Sequence, residues 1–254
     1  HVSGGYYFDD NADTIKIYNE DHTLIYAIPY DFSKGWTKDA YLTERTLERT
    51  SPTNDPNLGS SWFGGCLEGS PGKDYSTCAE NLVFSEINYQ SHPKADAGDW
   101  FEVRNASNQL KDLSGYNVQT IQSGQSFTLP ANTIIPAGFR LVVVSNKAKF
   151  DKIFPVQSFL KVEVNFDLSV NDGIVIIDKA GKVAAAISYD TSSWAKADAN
   201  GYTIALNDTS NLTYTAANWA NYCILGSPGL ANSVCIGDPT ISEIMFKPHL
   251  KNNT

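Results

Sequence analysis

The chain has 254 residues, 42% of them apolar and 19% charged, with a formal net charge of −9. That length holds one large or two small domains, each with room for a core. The acidity argues against a nucleic-acid backbone as partner, which requires clustered Lys and Arg, and no apolar run reaches the roughly 18 residues of a membrane-spanning helix.

Near the N-terminus, Asp9-Asp10-Asn11-Asp13 is an oxygen-rich cluster. It lacks the Gly and Glu spacing of an EF-hand and reads as a solvated turn before it reads as a calcium loop. Ile15 to Tyr18, the turn Asn19-Glu20-Asp21-His22 and Thr23 to Ile28 predict a hairpin. Leu82 to Tyr89 and Trp100 to Arg104 each predict a strand, and the apolar run Leu141 to Val144 suits an interior one. Asn146 to Phe154 predicts one short helix, capped by Asn146, with Phe150 and Ile153 facing inward. From Leu160 to Val170, six apolar residues alternate with five polar ones, the pattern of a half-buried strand over the whole stretch. Ile174 to Ile177, the turn Asp178 to Gly181 and Val183 to Ile187 predict a second hairpin. The remainder carries the Gly, Pro, Asn, Asp and Ser chemistry of turns, so the fold class is all-β, a sandwich or barrel.

The chain repeats itself. Cys66-Leu67-Glu68-Gly69-Ser70-Pro71-Gly72, closing at Cys78, returns 157 residues later as Cys223-Ile224-Leu225-Gly226-Ser227-Pro228-Gly229, closing at Cys235. The same shift takes Ser85-Glu86-Ile87 onto Ser242-Glu243-Ile244, His92 onto His249 and Trp62 onto Trp219, and a shift of 159 takes Ile28-Pro29-Tyr30-Asp31 onto Ile187-Ser188-Tyr189-Asp190. A period of this length divides the chain into 1–79, the back part of one module; 80–236, a complete module; and 237–254, the first strand of another. The two partial copies together lack the counterpart of about residues 98–159. Two readings follow: a window on a longer tandem array, or partial modules completed by strand addition between neighbouring chains. The start at His1 without Met suits a mature or excised segment. Four cysteines allow three connectivities, and the repeat selects Cys66–Cys78 and Cys223–Cys235, which implies an oxidising, extracellular compartment. Zinc is the other use of paired cysteines, but the spacing has no CxxC knuckle. With each bridge just before a short junction, the array is expected to be a stiff rod.

The run Ser85-Glu86-Ile87-Asn88-Tyr89, then Asp99-Trp100-Phe101-Glu102-Val103-Arg104-Asn105, then Asp112-Leu113-Ser114-Gly115-Tyr116 resembles the lamin tail domain in its bacterial form. The later landmarks Phe150, Leu168 to Asp172, Ser188-Tyr189-Asp190, Trp194, Trp219 and Gly226-Ser227-Pro228-Gly229 resemble it too, so that the likeness covers all of 80–235. Tyr116 stands where the family usually has Trp, and the flanking cysteine bridge is an addition of this chain. The resemblance implies an immunoglobulin-like β-sandwich, a module of large bacterial surface proteins or an appendage to a secreted hydrolase, and no catalytic residues.

Candidate chemistry is sparse. Glu86 and Glu102, on strands that could be neighbours, raise a glycosidase-like carboxylate pair; the alternative is a structural pair matched with a group such as Arg104. His92 and His249 recur in a polar loop without ligand partners, and no GxSxG, HExxH or P-loop occurs. Asn105, Asn207, Asn211 and Asn252 open N-x-Ser/Thr sequons, which in a glycosylating host mark exposed loops. Tyr6, Tyr7, Phe8 and Tyr214 could stack on sugars or fill a core. The sequence thus predicts a non-enzymatic structural or adhesive repeat of a secreted or cell-surface bacterial protein. Its expected partners are neighbouring copies of the module, with surface glycans or proteins as further ones, and no cofactor, metal, nucleic acid or membrane span. The second reading is a glycan- or protein-binding accessory module attached to a secreted enzyme. The only site residues assigned are the structural cysteines Cys66, Cys78, Cys223 and Cys235.

Overall fold

The computed structural model describes residues 7–38, 40, 43–72, 80–155, 158–191, 194, 201–207 and 216–232. Residues 237–254, with His249, Glu243 and Asn252, lie outside them, as do Cys78, Cys235, Tyr6, Asn211 and Tyr214. The strands in chain order are β1 (Ala12–Tyr18), β2 (Leu24–Asp31), β3 (Arg45–Arg49), β4 (Trp62–Leu67), β5 (Leu82–Asn88), β6 (Trp100–Asn105), β7 (Lys111–Asp112) and β8 (Asn117–Thr120). They continue with β9 (Ser126–Thr128), β10 (Ile134–Ile135), β11 (Arg140–Val144), β12 (Leu160–Glu163), β13 (Asp172–Ile177), β14 (Val183–Tyr189), β15 (Tyr202–Leu206) and β16 (Trp219–Ile224).

A six-stranded sheet, ordered β12-β11-β6-β5-β15-β16, faces a four-stranded one, ordered β14-β13-β8-β9. Every pairing in them is antiparallel except β11 with β12, which is parallel. One core cluster joins the two: Phe84, Ile87, Phe101 and Val103 from the first sheet meet Val118, Ile174, Ile176 and Ile187 from the second. This is an immunoglobulin-like sandwich. Strand alternation sends the other residues of β6 outward. There Trp100 joins Val142, Val144, Phe150 and Phe154 in a second cluster on the outer face of the large sheet. The short helix α1 (Lys147–Ile153) closes that cluster: Asn146 caps it by accepting a hydrogen bond from the Lys149 N–H at 2.9 Å. Phe150 is fully buried, with its ring edge-on to Trp100 at 5.9 Å between centroids, and Ile153 packs alongside.

The hairpins, β5, β6, β11 and α1 stand where the sequence predicts them. The long strand over Leu160 to Val170 does not. The strand ends at Glu163, the Val164 N–H making one last main-chain bond to Val144 O at 3.1 Å, and from Asp167 on the backbone is held by side-chain acceptors. Asp167 N–H donates to Gln125 Oε1 at 2.9 Å, Leu168 N–H to Asp99 Oδ2 at 2.7 Å and Ser169 N–H to Asp172 Oδ2 at 3.1 Å. Phe166 and Leu168 still enter the core, which explains the alternation without a strand. Stretches read as turns contain β3, β4, β7 to β10, β15 and β16 as well.

The earlier elements repeat the later ones pair for pair. Under a shift of 157, Arg45↔Leu67, Leu47↔Gly64, Glu48↔Phe63 and Arg49↔Trp62 map onto Tyr202↔Ile224, Ile204↔Asn221, Ala205↔Ala220 and Leu206↔Trp219, with the register irregularity at the same place. Under a shift of 159, Asp13↔Tyr30 through Tyr18↔Leu24 map onto Asp172↔Tyr189 through Ile177↔Val183, again with the same bulge. The tryptophans follow: Trp36 meets Trp62 at 5.6 Å and Trp194 meets Trp219 at 5.4 Å between ring centroids. Burial differs sharply, however. Ile15 and Ile17 are 40% and 52% exposed, whereas their counterparts Ile174 and Ile176 are 0% and 1% exposed.

Candidate functional site

Glu86 and Glu102 lie directly opposite one another in register on adjacent interior strands, and both are fully buried. A bulge between Phe84 and Glu86 puts Ser85 and Glu86 where both serve this site. The carboxylates face outward from the large sheet, beside Trp100, and are roofed by the Gly226-Ser227-Pro228-Gly229 loop. Glu86 accepts from the Ser227 N–H at 2.9 Å (Oε1) and 3.1 Å (Oε2), from Ser227 Oγ at 3.1 Å and from Thr203 Oγ1. Glu102 accepts from Ser85 Oγ at 2.5 Å and from the Gly229 N–H at 2.6 Å. Arg140 Nε stands 3.0 Å from Glu102 Oε1, an ionic contact without hydrogen-bond alignment. The matched cation is therefore Arg140 from β11, not Arg104.

Burial raises both carboxyls: Glu86 to about 7, against the pull of the Thr203 and Ser227 hydrogen bonds, and Glu102 to about 8, pushed further by the Glu86 charge. Two carboxylates facing each other around one arginine cannot both ionise, so at neutral pH they share about one proton. Close approach of the loop requires glycine: a Cβ on Gly226, at φ 83°, would lie 2.6 Å from Glu86 Oε1 and 2.9 Å from Trp100. Asn232 locks the far side, donating to Ser85 O at 2.7 Å and Leu206 O at 2.9 Å. The pair is closed to substrate and its oxygens are spent on the loop, so the geometry is that of a structural latch and not of a glycosidase pair. The paired glutamates are legible in sequence; their link to the Gly-Ser-Pro-Gly loop is not, although that loop's recurrence signals a fixed partner.

A second cluster joins the N-terminal elements to the sandwich. The Arg45 side chain is 0% exposed and forks onto Glu80, at 2.6 and 2.9 Å. It also donates to Gly65 O at 2.9 Å and to Ala186 O on β14 at 3.0 Å. Leu67 packs on Val175, Val183 and Ala186, the outer face of the four-stranded sheet, and Lys182 pairs with Glu68 at 3.0 Å.

The other candidates resolve individually. Asp9 Oδ1 accepts from the Asn11 N–H at 2.8 Å and the Ala12 N–H at 3.2 Å, a turn closed on itself. No group of three metal-ligating side chains occurs among the described residues. His92 Nδ1 accepts from the Lys94 N–H at 3.1 Å in a short bridge. Asn105 is no exposed sequon: it is fully buried, donating to Gln109 O at 2.7 Å and Ile135 O at 2.9 Å. Tyr7 and Phe8 are 93% and 61% exposed. Cys66 and Cys223 are not free thiols.

A family model described as Lamin Tail Domain matches residues 76–220, more than half of the chain. The chain belongs to the lamin tail domain family. No curated protein matches it. The lamin tail domain match covers Glu86, Glu102 and Asn105, and stops short of the Gly-Ser-Pro-Gly loop that the two glutamates hold. Among the described residues, no helix of this lamin tail domain protein is long and apolar enough to cross a membrane.

Proposed function

We propose that this lamin tail domain chain is a structural or adhesive repeat segment of a large secreted or cell-surface bacterial protein, built as an extended fibre or stalk. The observation that carries the reading is the repetition of two strand pairs in identical register, bulges included. Such a match is expected of successive copies of one module, with 80–236 the whole copy and 1–79 and 237–254 parts of its neighbours. Stiffness is supported by Arg45: a buried, bidentate cation bolting β3 to Glu80 and β14 resists hinge motion. In this reading Cys66–Cys78 and Cys223–Cys235 staple each module end, each contributing roughly 3 kcal/mol in the chain-entropy model, in an oxidising extracellular compartment. The latch has no room for substrate, which supports a role without catalysis. Small-angle scattering of the chain extended by its natural flanking sequence tests this. The reading requires an elongated particle of fixed length; a flexible tether to a catalytic domain contradicts it.

A second reading, a glycan- or protein-binding accessory module attached to a secreted enzyme, is favoured by the exposed Tyr7 and Phe8 and by a cleft of about 580 Å³ lined by Trp36, Trp62, Phe63 and Trp194. Trp36 and Trp194 are themselves 7% and 6% exposed, so little ring face is offered for stacking. A glycan array without hits removes the sugar-binding form of it.

A further inference from the structure

We propose that the open edge of β3 is a strand-acceptor site, and that it takes residues 240–246 of a second copy of this chain. The inference rests on the repeat-module reading and adds to it the contact by which copies join.

The internal repeat shows what belongs on that edge. β15 is flanked by β16 and β5, with Ile204 opposite Ile87 and Ala205 opposite Glu86. Among the described residues its counterpart β3 pairs with β4 alone, in a two-stranded sheet. Beside β3, under the loop that follows β4, is a cleft of about 380 Å³, lined by Thr46, Glu48, Trp62, Gly69 and Ser70 among others. Thr46 and Ser70 are the counterparts of Thr203 and Ser227, which together hold the Glu86 carboxylate in the complete copy. Among the described residues these hydroxyls are served by Glu48, from within β3: Thr46 Oγ1 donates to it at 3.0 Å and Ser70 Oγ at 3.5 Å. The acceptor thus keeps the hydroxyls that grip an incoming glutamate.

The chain carries the matching donor. Thr240-Ile241-Ser242-Glu243-Ile244-Met245-Phe246 repeats Val83-Phe84-Ser85-Glu86-Ile87-Asn88-Tyr89 at a shift of 157. Docked in the register of β5, it sets Ile244 opposite Leu47 and Glu243 opposite Glu48. Main-chain hydrogen bonds supply the attraction and the register the specificity. Glu48 stands where the complete copy has Ala205, so two carboxylates face each other, as Glu86 and Glu102 already do. This moderates the affinity without forbidding the pairing. A second copy is favoured over the chain's own tail by placement. The tail departs near Asn232, against the large sheet, whereas β4 and Arg45 dock on the opposite sheet at β14 and Ala186.

The test uses the full chain. The double variant Glu48→Cys, Glu243→Cys, mildly oxidised, is expected to give disulfide-linked dimers and longer species on a non-reducing gel, because directly opposed strand residues bring Cβ atoms within bridging range. Sedimentation of the parent chain is expected to show mass rising with concentration. Ile244→Pro is expected to abolish that rise with an unchanged melting curve, and Glu48→Ala to tighten association by about two- to fivefold, the effect of removing a like charge from an opposed pair. A cross-link found only within single chains overturns the second copy as occupant. Chains that stay monomeric and uncross-linked at every concentration overturn the acceptor site, and leave the array reading to its own test on flanking sequence.

Discussion

Raising the pH is predicted to weaken this protein well before any ordinary base denaturation. The perturbed groups are Glu86 and Glu102, both fully buried and facing each other beneath the Ser227 loop. Their folded-state affinities for protons lie above the ordinary value of 4.5 because burial disfavours charge, Glu86 at about 7 and Glu102 higher. A group raised in this way binds more protons folded than unfolded. Its stabilisation is complete below the unfolded value and is lost as pH climbs through the folded one. The loss begins near pH 4.5 and runs to about pH 8, at about 1.4 kcal/mol per pH unit for each proton that the folded pair retains and the unfolded chain has released. Asp99, raised to about 6 chiefly by burial, adds in the same direction over the lower part of that window. The assay is urea unfolding followed by tryptophan fluorescence at half-unit pH steps from 5 to 8.5. Glu102→Gln, a neutral isostere that removes the more strongly raised of the two carboxyls, is expected to flatten part of the slope and to end it at lower pH. Stability that is level or rising across this range in the parent chain refutes the shared-proton account, as does a slope unchanged by Glu102→Gln.

Gly226→Ala and Gly181→Ala separate local strain from lost contact. Both glycines sit at positive φ, 83° and 85°, but a Cβ at 181 meets nothing within 4 Å while one at 226 strikes Glu86 and Trp100. The expected cost is about 1–2 kcal/mol at 181 and clearly more at 226, read as the difference in urea midpoints. Phe150→Ala empties the cluster under α1 and is expected to cost about 3–5 kcal/mol by calorimetry. Arg45→Met leaves Glu80 buried without its cation; it is expected to cost about 3–5 kcal/mol of docking and to open the 43–49 backbone to hydrogen exchange while β5 and β6 stay protected. Expressed in a glycosylating host, the chain is expected to carry glycan at the exposed Asn207 and none at the buried Asn105, by peptide mass spectrometry.

The legible parts of the fold are those in which a local pattern meets no competitor. Both hairpins announce themselves because apolar runs flank Asn19 to His22 and Asp178 to Gly181, turns closed by bonds such as Gly181 N–H to Asp178 O at 3.0 Å. Asn146 and Phe150 announce the helix by cap and spacing. The stretch from Val164 to Val170 misleads because alternation reports which residues are buried, not what their backbone pairs with; Asp99, Asp172 and Gln125 supply the acceptors from far along the chain. β7 to β10 are two to four residues long, too short for any period to register. At the latch, Glu86 and Glu102 are visible as a pair on adjacent strands. The 141-residue span from Glu86 to Ser227 is what hides the roof over them. Asn105 shows the converse error, a surface motif lying on a residue the core consumes.

The proposal of a structural segment repeated along a stiff fibre is tested most directly by electron microscopy of the natural gene product that carries this chain. The account predicts straight or gently curved rods of fixed length, with one sandwich per regular step. Compact particles, or a single sandwich joined by a flexible tether to a catalytic domain, would contradict it.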